Sequence, residues 1–452
     1  MSCQKDLRKI LNLCKNRGFV FQGSEIYGGI ANMWDYGPIG IELKNNIKKI
    51  WRDKFIRKNE LNVGFDAAIL MNPTVWEASG HVQNFTDPLT DCKNCKVRLR
   101  ADKLIEHSED MNFSQIYENI KKNNVKCPQC GATDFTPVRN FNLMFKTSQS
   151  ITGKENSDIY LRPETAQGIF VNFNNVLRST RKKIPFGIGQ VGKAFRNEIT
   201  PGNFLFRVRE FEQMELEFFC KPGTDDHWFE FWRTFCYNWL VELGFQAENL
   251  RFRDHEKNEL SHYSKNTTDI EFSFPFGWGE LWGIANRGDF DLSTHHKHSG
   301  KTFEYFDAES GQKFVPYCVE SSVGLDRVLL ALLYDSYDEE KINEKDSRTV
   351  LRFNYSVAPY KACVLPISKE LDKNAHEIYE LLLKNIFIDY DKSGSIGKRY
   401  RRQDEIGTPF CITYDFNSPT DNKVTIRNRD TMIQDRIEIT NILNYIKDHV
   451  VF

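Results

Sequence analysis

The sequence predicts an α+β protein in which an antiparallel sheet makes most of the body and a small alternating α/β domain follows at the C-terminus. Three observations carry that prediction. Phe186 to Phe219 reads as two strands joined through Thr200-Pro201-Gly202-Asn203, and Asp269 to Arg287 as a second hairpin turning at Phe276-Gly277-Trp278-Gly279. From Lys361 onward, strand-like and helix-like segments alternate, as they do in compact α/β domains.

The 452 residues suffice for several domains, and 61 basic against 62 acidic residues leave a formal net charge of -1. That balance excludes a globally basic nucleic-acid binder but not a local basic patch. No apolar run approaches membrane-spanning length, and Met-Ser-Cys-Gln-Lys-Asp at the N-terminus lacks the regions of a secretory signal. A cytoplasmic place with no membrane contact is expected. The 11 cysteines are too few for a disulfide framework in so long a chain.

In chain order, Asp6 to Cys14 should be helical and Gly18 to Gly40 strand and turn. From Ile39, the residues Leu43, Ile47, Ile50, Trp51 and Phe55 recur at helical spacing among lysines and arginines, which predicts a long amphipathic helix. A strand from Val63 to Met71 should close at Asn72-Pro73, because proline offers the ladder no N–H. Cys92-Lys-Asn-Cys95 and Cys127-Pro-Gln-Cys130 then form two knuckles able to supply four thiolates to a structural zinc ion. Two unrelated reduced thiol pairs are the alternative. The interval between the knuckles should hold a helix around Phe113 to Lys121.

A strand ending at Pro163 leaves Glu164 either to cap the next helix or to face a pocket. His227 to Leu243, rich in Trp and Phe, is expected to be a core helix. Gly283 and Ala285 share a strand face with Arg287, so a ligand could approach closely there. Ser321-Ser322 ahead of an apolar periodic run is a helix-cap signal, with Arg327 one turn inside. The charged stretch Asp335 to Arg348 should separate the body from the last domain. That domain reads as strand Lys361 to Ile367, helix Leu371 to Lys384, strand Phe387 to Asp391, basic helix Ile396 to Glu405, strands Phe410 to Asp415 and Lys423 to Arg427, and helix Ile433 to Asp448. Lys392, Lys398, Arg399, Arg401 and Arg402 gather around Tyr400, as a solvated face or a nucleic-acid surface.

The first hairpin carries the chemistry. By alternation, Arg207, Arg209, Phe211, Gln213, Glu215 and Glu217 share one face, and Phe204, Phe206, Val208, Met214, Leu216 and Phe218 the other. Arginines, a ring and acids in file repel or strand one another unless a ligand lies among them. ATP beside an amino acid is anionic at one end, flat in the middle and cationic at the other. A solvated amphipathic strand is the plainer alternative.

These residues resemble those of the class II aminoacyl-tRNA synthetases, and within them the single-chain homodimeric glycyl-tRNA type. The helix after Gly40 with the strand closing at Pro73 resembles motif 1; Phe195-Arg196-Asn197-Glu198 through Arg207-Val-Arg209-Glu-Phe211-Glu resembles motif 2; Gly324-Leu-Asp-Arg327 resembles motif 3. Arg162-Pro-Glu-Thr-Ala-Gln-Gly and Phe211-Glu-Gln-Met-Glu-Leu-Glu narrow the resemblance to glycine.

The resemblance implies a catalytic domain over 1–358 with a zinc-binding insert at about 86–158, and an anticodon-binding domain over 359–452. It implies ATP-dependent joining of glycine to tRNA(Gly), with magnesium. The implied ATP set is Arg196, Asn197, Glu198, Phe206, Arg207, Val208, Arg209, Glu210, Phe211, Glu280, Leu281, Gly324, Leu325, Asp326 and Arg327. Arg196 and Arg327 would be catalytic, with Arg196 on the α-phosphate, Arg207 at the γ-phosphate end, and Phe211 with Arg327 about the adenine. The implied glycine set is Arg100, Glu164, Phe211, Glu212, Gln213, Met214, Glu215, Glu320, Ser321, Ser322, Val323 and Gly324. Glu280 and Glu320 would hold magnesium, Cys92, Cys95, Cys127 and Cys130 zinc, and Lys398, Arg399, Arg401 and Arg402 the tRNA.

Glycine has no side chain to grasp, so such a pocket must exclude by volume, with Glu164, Glu215 and Ser322 about the ammonium group. A catalytically silent relative should lack the phosphate arginines, which are present here. A synthetase for threonine, proline or histidine would need a roomier and less acidic pocket.

Overall fold

Seven strands make the central sheet: β1 Asn62–Gly64, β2 Phe186–Phe195, β3 Glu210–Cys220, β4 Leu250–Asp254, β5 Asn266–Phe274, β6 Gly277–Gly288 and β7 Tyr317–Gly324. Their spatial order is β4-β5-β6-β7-β3-β2-β1, and only β1 against β2 is parallel. The computed structural model describes residues 6–106, 108, 111–149, 157–261 and 263–450. The expected signal-free N-terminus at 1–5 and the insert's residues 150–156 lie outside the described residues.

Alternation along β3 sets the layers. Met214, Leu216 and Phe218 are fully buried on one face, under the helices Pro38–Arg52, Asp225–Leu243 and Leu325–Ser336. The opposite face carries Phe211, Gln213 and Glu215 toward a cavity, and its far end is closed by Phe170 and Phe173 of the helix Ala166–Thr180 over Phe219. Proline at the first position suits the start of Pro38–Arg52, since the missing N–H would have no partner there.

Several expectations are corrected. The strand from Val63 shrinks to Asn62–Gly64, and beyond it Leu70 makes a single bridge to Leu161. The Arg162 guanidinium donates to the Ala67 carbonyl at 2.8 Å, satisfying backbone that a longer strand would have paired. Ser321 and Ser322 cap nothing, because both are committed to ladders with β3 and β6; the helix starts at Leu325 with no side-chain cap. Asp335 to Arg348 is not a spacer: it folds into the strand pair Tyr337–Lys341 and Ser347–Leu351.

The insert contains a three-stranded sheet, Thr86–Asp91 between Arg98–Arg100 and Arg139–Asn142. Its helix, Phe113–Lys122, begins with a reciprocal cap between Asn112 and Gln115. The C-terminal part has its own core under the five-stranded sheet of Ala362–Pro366, Asp389–Tyr390, Phe410–Tyr414, Lys423–Asn428 and Gln434–Glu438. The last helix expected from Ile433 is therefore two elements, the edge strand Gln434–Glu438 and the helix Ile442–His449. Among the described residues, no helix is long and apolar enough to cross a membrane.

Candidate active site

β3, β5, β6 and β7 floor a cavity of about 270 Å³. At one end stand the carboxylates of Glu164, Glu215 and Glu320. Glu215, 2% exposed, accepts from the Thr165 amide at 3.0 Å, the Gln213 amide at 2.9 Å and the Ser322 hydroxyl at 2.6 Å. Burial and the nearby Glu164 raise its carboxyl above the ordinary range. Glu164 behaves oppositely: burial opposes its charge, yet His81 at 3.2 Å, Arg287 and Arg196 hold it well below. Two neighbouring acids whose pKa values are driven apart by their surroundings thus face one cavity. Glu164 faces the cavity and does not cap the helix, which starts at Ala166. Behind it, Arg287 binds Asp291 at 2.7 Å and pairs with Glu320 at 2.5 Å, while burial still pushes Glu320 up to about 7. Glu217, directly opposite Glu320 and fully buried, is raised well above the ordinary range by burial and by that neighbour.

The other end is cationic and aromatic. The Arg196 guanidinium donates to the Pro163 carbonyl at 3.0 Å and lies between the rings of Phe85 and Phe211, at 5.4 and 5.3 Å. Arg327 covers the Phe206 ring at 4.5 Å, donates to the Phe206 carbonyl and meets the Glu280 carboxylate at 3.0 Å. Although burial works against it, Arg327 keeps the Glu280 carboxyl below its ordinary range. Arg207 stands 3.6 Å from Glu198. Three guanidinium groups and two ring faces on one cavity suit a nucleotide triphosphate. Glu280 and Glu320 both line the cavity, and carboxylates are the hard oxygen donors that magnesium takes.

Residues 145–336 match the family described as tRNA synthetase class II core domain (G, H, P, S and T), and residues 361–449 that described as Anticodon binding domain. Over 100% of both chains, the protein is 60% identical to the glycine--tRNA ligase of Alkaliphilus oremlandii. It is 61% identical to that of Acetivibrio thermocellus and 60% to that of Bacillus anthracis, over 98% and 99% of each chain. The chain belongs to the glycine--tRNA ligase family. Within that family's class II core, the structure sorts the expected residues.

Phe206, Arg207, Val208, Phe211, Gly324 and Asp326 line the cavity with Arg196, Glu198, Glu280 and Arg327. Asn197, Arg209, Glu210, Leu281 and Leu325 do not. Arg209 donates to the Glu198 and Ala31 carbonyls, Glu210 pairs with Lys193 at 2.7 Å, and Leu281 and Leu325 are core. Asn197 gives its backbone amide to Leu143. In the glycine set, Glu164, Phe211, Gln213, Glu215, Glu320, Ser322 and Gly324 line the cavity. Arg100 instead pairs with Asp87 and Asp102 at 3.0 and 2.7 Å, and Glu212 with Lys44 at 2.7 Å. Met214, Ser321 and Val323 are buried on the core face. The ring beneath Arg327 is Phe206, and Arg196 lies over Phe211, with all four side chains on the same cavity.

Sequence reasoning missed His255 and Asp269, which line the cavity near Glu280, and Tyr263 and Thr267, which line it near Arg287 and Glu320. His255 Nε2 lies 2.8 Å from the Asp269 carboxylate, which burial and Glu280 raise to about 6. Tyr263 lies under Arg287 at 3.8 Å. The only signal in the sequence was alternation on β5, which puts Thr267 and Asp269 on one face.

Away from the cavity, Cys92 Sγ is 3.6 Å from Cys130 Sγ and Cys95 Sγ 3.7 Å from Cys127 Sγ, with all four within 4.8 Å. Thiolates about 2.3 Å from a tetrahedral zinc ion stand about 3.8 Å apart, so the cluster is compatible with zinc. Of the predicted basic surface of the last domain, Lys392 is exposed, Arg401 and Arg402 are half-buried and Arg399 is turned inward. Arg399 is 4% exposed and donates to the Pro366 and Asp391 carbonyls, Arg401 pairs with Asp346 at 2.6 Å, and Arg402 with Asp391 at 2.6 Å. Lys398 is exposed.

Proposed function

We infer that the chain activates glycine with ATP and transfers it to the 3′ end of tRNA(Gly). The observation that carries this reading is one small cavity with carboxylates at one end and guanidinium groups at the other. In the first step a glycine carboxylate oxygen bonds to the α-phosphorus of ATP as pyrophosphate leaves. In the second, the terminal ribose hydroxyl of the tRNA attacks the glycyl carbonyl carbon and AMP leaves. Both steps build negative charge, which fixed cations stabilise without a protein nucleophile.

Glu164 and Glu215 receive the ammonium group and Arg196 the α-phosphate. Arg207 takes the far phosphates, and Arg327 with Phe206 and Phe211 frames the base. Glu280 and Glu320 would hold magnesium, which neutralises phosphate charge when bound. A larger amino acid would push its side chain against the packed donors around Glu215, so selection is by volume and by the polar groups that displacement would strand. We read 1–358, with its zinc-holding insert at about 86–158, as the catalytic domain and 359–452 as the anticodon-binding domain, in a cytoplasmic homodimer. tRNA contacts on the basic helix would centre on exposed Lys398, with Arg401 and Arg402 at its side. ATP-dependent charging of tRNA with labelled glycine, releasing AMP and pyrophosphate, tests the reading; no charged product overturns it.

A further inference from the structure

His81 belongs to none of the motifs that identify the site. It opens a four-residue helix, His81–Asn84, just before the cysteine-bearing insert. Gly80 ahead of it has a φ of 81°, a left-handed turn that a side chain would resist. That turn folds Ser79 back onto the imidazole, with Ser79 Oγ 2.8 Å from His81 Nδ1. On the other side of the ring, His81 Nε2 lies 3.2 Å from the Glu164 carboxylate. Trp76 packs edge-on against the ring at 5.4 Å. A Ser79 hydroxyl donating to Nδ1 leaves the ring proton on Nε2, the atom that faces Glu164.

We propose that His81 is a positioning residue for the amino-acid end of the cavity, orienting the Glu164 carboxylate to receive the glycine ammonium group. Among the described residues, Glu164's other close side-chain donor is the Gln167 amide at 3.2 Å, which also serves Asp291. Among the groups that keep Glu164 ionised against its burial, His81 acts most strongly. The backbone of the segment is pinned from the insert: Asn142 donates to the Val82 carbonyl at 3.0 Å, and the Leu143 amide to that of Phe85 at 3.0 Å. Phe85, four residues on, lies under Arg196 at 5.4 Å, so one short segment supports both ends of the cavity.

This inference rests on the reading of Glu164 as an ammonium ligand, and the test separates the two. Glycine-dependent pyrophosphate exchange is measured for His81→Leu, His81→Gln, Phe85→Leu and Glu164→Gln, each checked for an unchanged thermal midpoint. Loss of one donor to a charged group predicts a glycine KM raised roughly tenfold or more in His81→Leu, with the ATP KM within about twofold. His81→Gln, whose amide N–H reaches the same carboxylate, should recover most of that loss, and Phe85→Leu should move the ATP KM instead. If His81→Leu does not fold, Ser79→Ala keeps the ring but frees its tautomer, and should raise the glycine KM by about threefold. A glycine KM moved by Glu164→Gln but by neither His81→Leu nor Ser79→Ala overturns the role of His81 alone. A glycine KM indifferent to Glu164→Gln overturns the ammonium assignment and this inference with it.

Discussion

Glu215 and Ser322 face each other on neighbouring strands, the serine hydroxyl 2.6 Å from the carboxylate. The Thr165 and Gln213 amides add to that set, so the acid is held by donors that do not neutralise it. An ammonium group entering the cavity would add a direct charged partner to these neutral donors. Glu215→Gln should therefore raise the glycine KM by about 10- to 100-fold, the worth of a charge-assisted hydrogen bond, and leave the ATP KM nearly unchanged. Steady-state exchange kinetics read both, and equal changes in the two contradict the assignment.

Arg327 makes four contacts at once: the Phe206 ring, the Phe206 carbonyl, and the carbonyl and carboxylate of Glu280. Lysine has neither the planar face nor the fork for them. Arg327→Lys should lower kcat/KM for ATP by about two to three orders of magnitude, as removal of a preorganised charge donor does. Varying ATP at saturating glycine measures it; a loss confined to the glycine KM refutes it.

Two raised carboxyls on the cavity set a pH dependence. Burial raises Glu320 to about 7 and Asp269 to about 6. A carboxyl raised in the fold stabilises the ligand-free protein below the ordinary carboxyl range of about 4.5 and loses that contribution as pH rises through its folded value. The thermal midpoint of the ligand-free protein should fall between about pH 5 and pH 7.5, and binding of glycine with magnesium and ATP should release protons near pH 7. Calorimetry in two buffers of different ionisation enthalpy detects the release. Glu320→Gln should remove most of it; an undiminished release counts against this assignment.

Metal analysis of the purified chain should find about one zinc per chain. Cys95→Ser and Cys130→Ser should lose it, because three thiolates do not close a structural site. The insert's core is small, gathered around Cys92, Leu99, Ile116, Ile120, Cys127 and Phe135, so limited proteolysis should then cut within the insert. An equally resistant, metal-free variant would remove zinc from the account.

Arg348, fully buried, pairs with Glu340 at 2.6 Å and with Asp404 of the last domain at 3.1 Å, and Asp404 also binds Arg427 at 2.8 Å. Arg348→Met leaves Asp404 to Arg427 alone and takes a donor from the buried Arg429 carbonyl, at a cost of about 1 to 3 kcal/mol. Glycine-dependent exchange should persist while the KM for tRNA rises, since only the second substrate needs both domains. A tRNA KM equal to that of the parent contradicts this.

What the sequence revealed and concealed follows from chain geometry. Alternation was legible along β3, where Phe211, Gln213 and Glu215 do share the cavity face while Met214 and Leu216 enter the core. It failed from 204 to 208, because Asn203 and Phe204 take positive φ values of 53° and 57° and the chain turns instead of running straight. Phe206, Arg207 and Val208 consequently all reach the cavity, whatever their parity. The two hairpins and most of the C-terminal alternation were readable from turn residues and periodicity. The fate of the arginines in Ile396–Ile406 was not, since Asp346, Asp391 and the Pro366 carbonyl reach them from elsewhere in the chain. His255 and His81 carried no spacing signal for the same reason: their partners, Asp269 and Glu164, are contacts of the folded chain.

The central claim is that one acidic and cationic cavity selects glycine and activates it. Exchange of labelled pyrophosphate into ATP, run with glycine, alanine, serine, threonine, proline and histidine in turn, tests it most directly. Exchange with glycine alone, abolished in Arg196→Ala, is the predicted result. Exchange supported equally by alanine or only by a larger amino acid, or none with glycine, would contradict it.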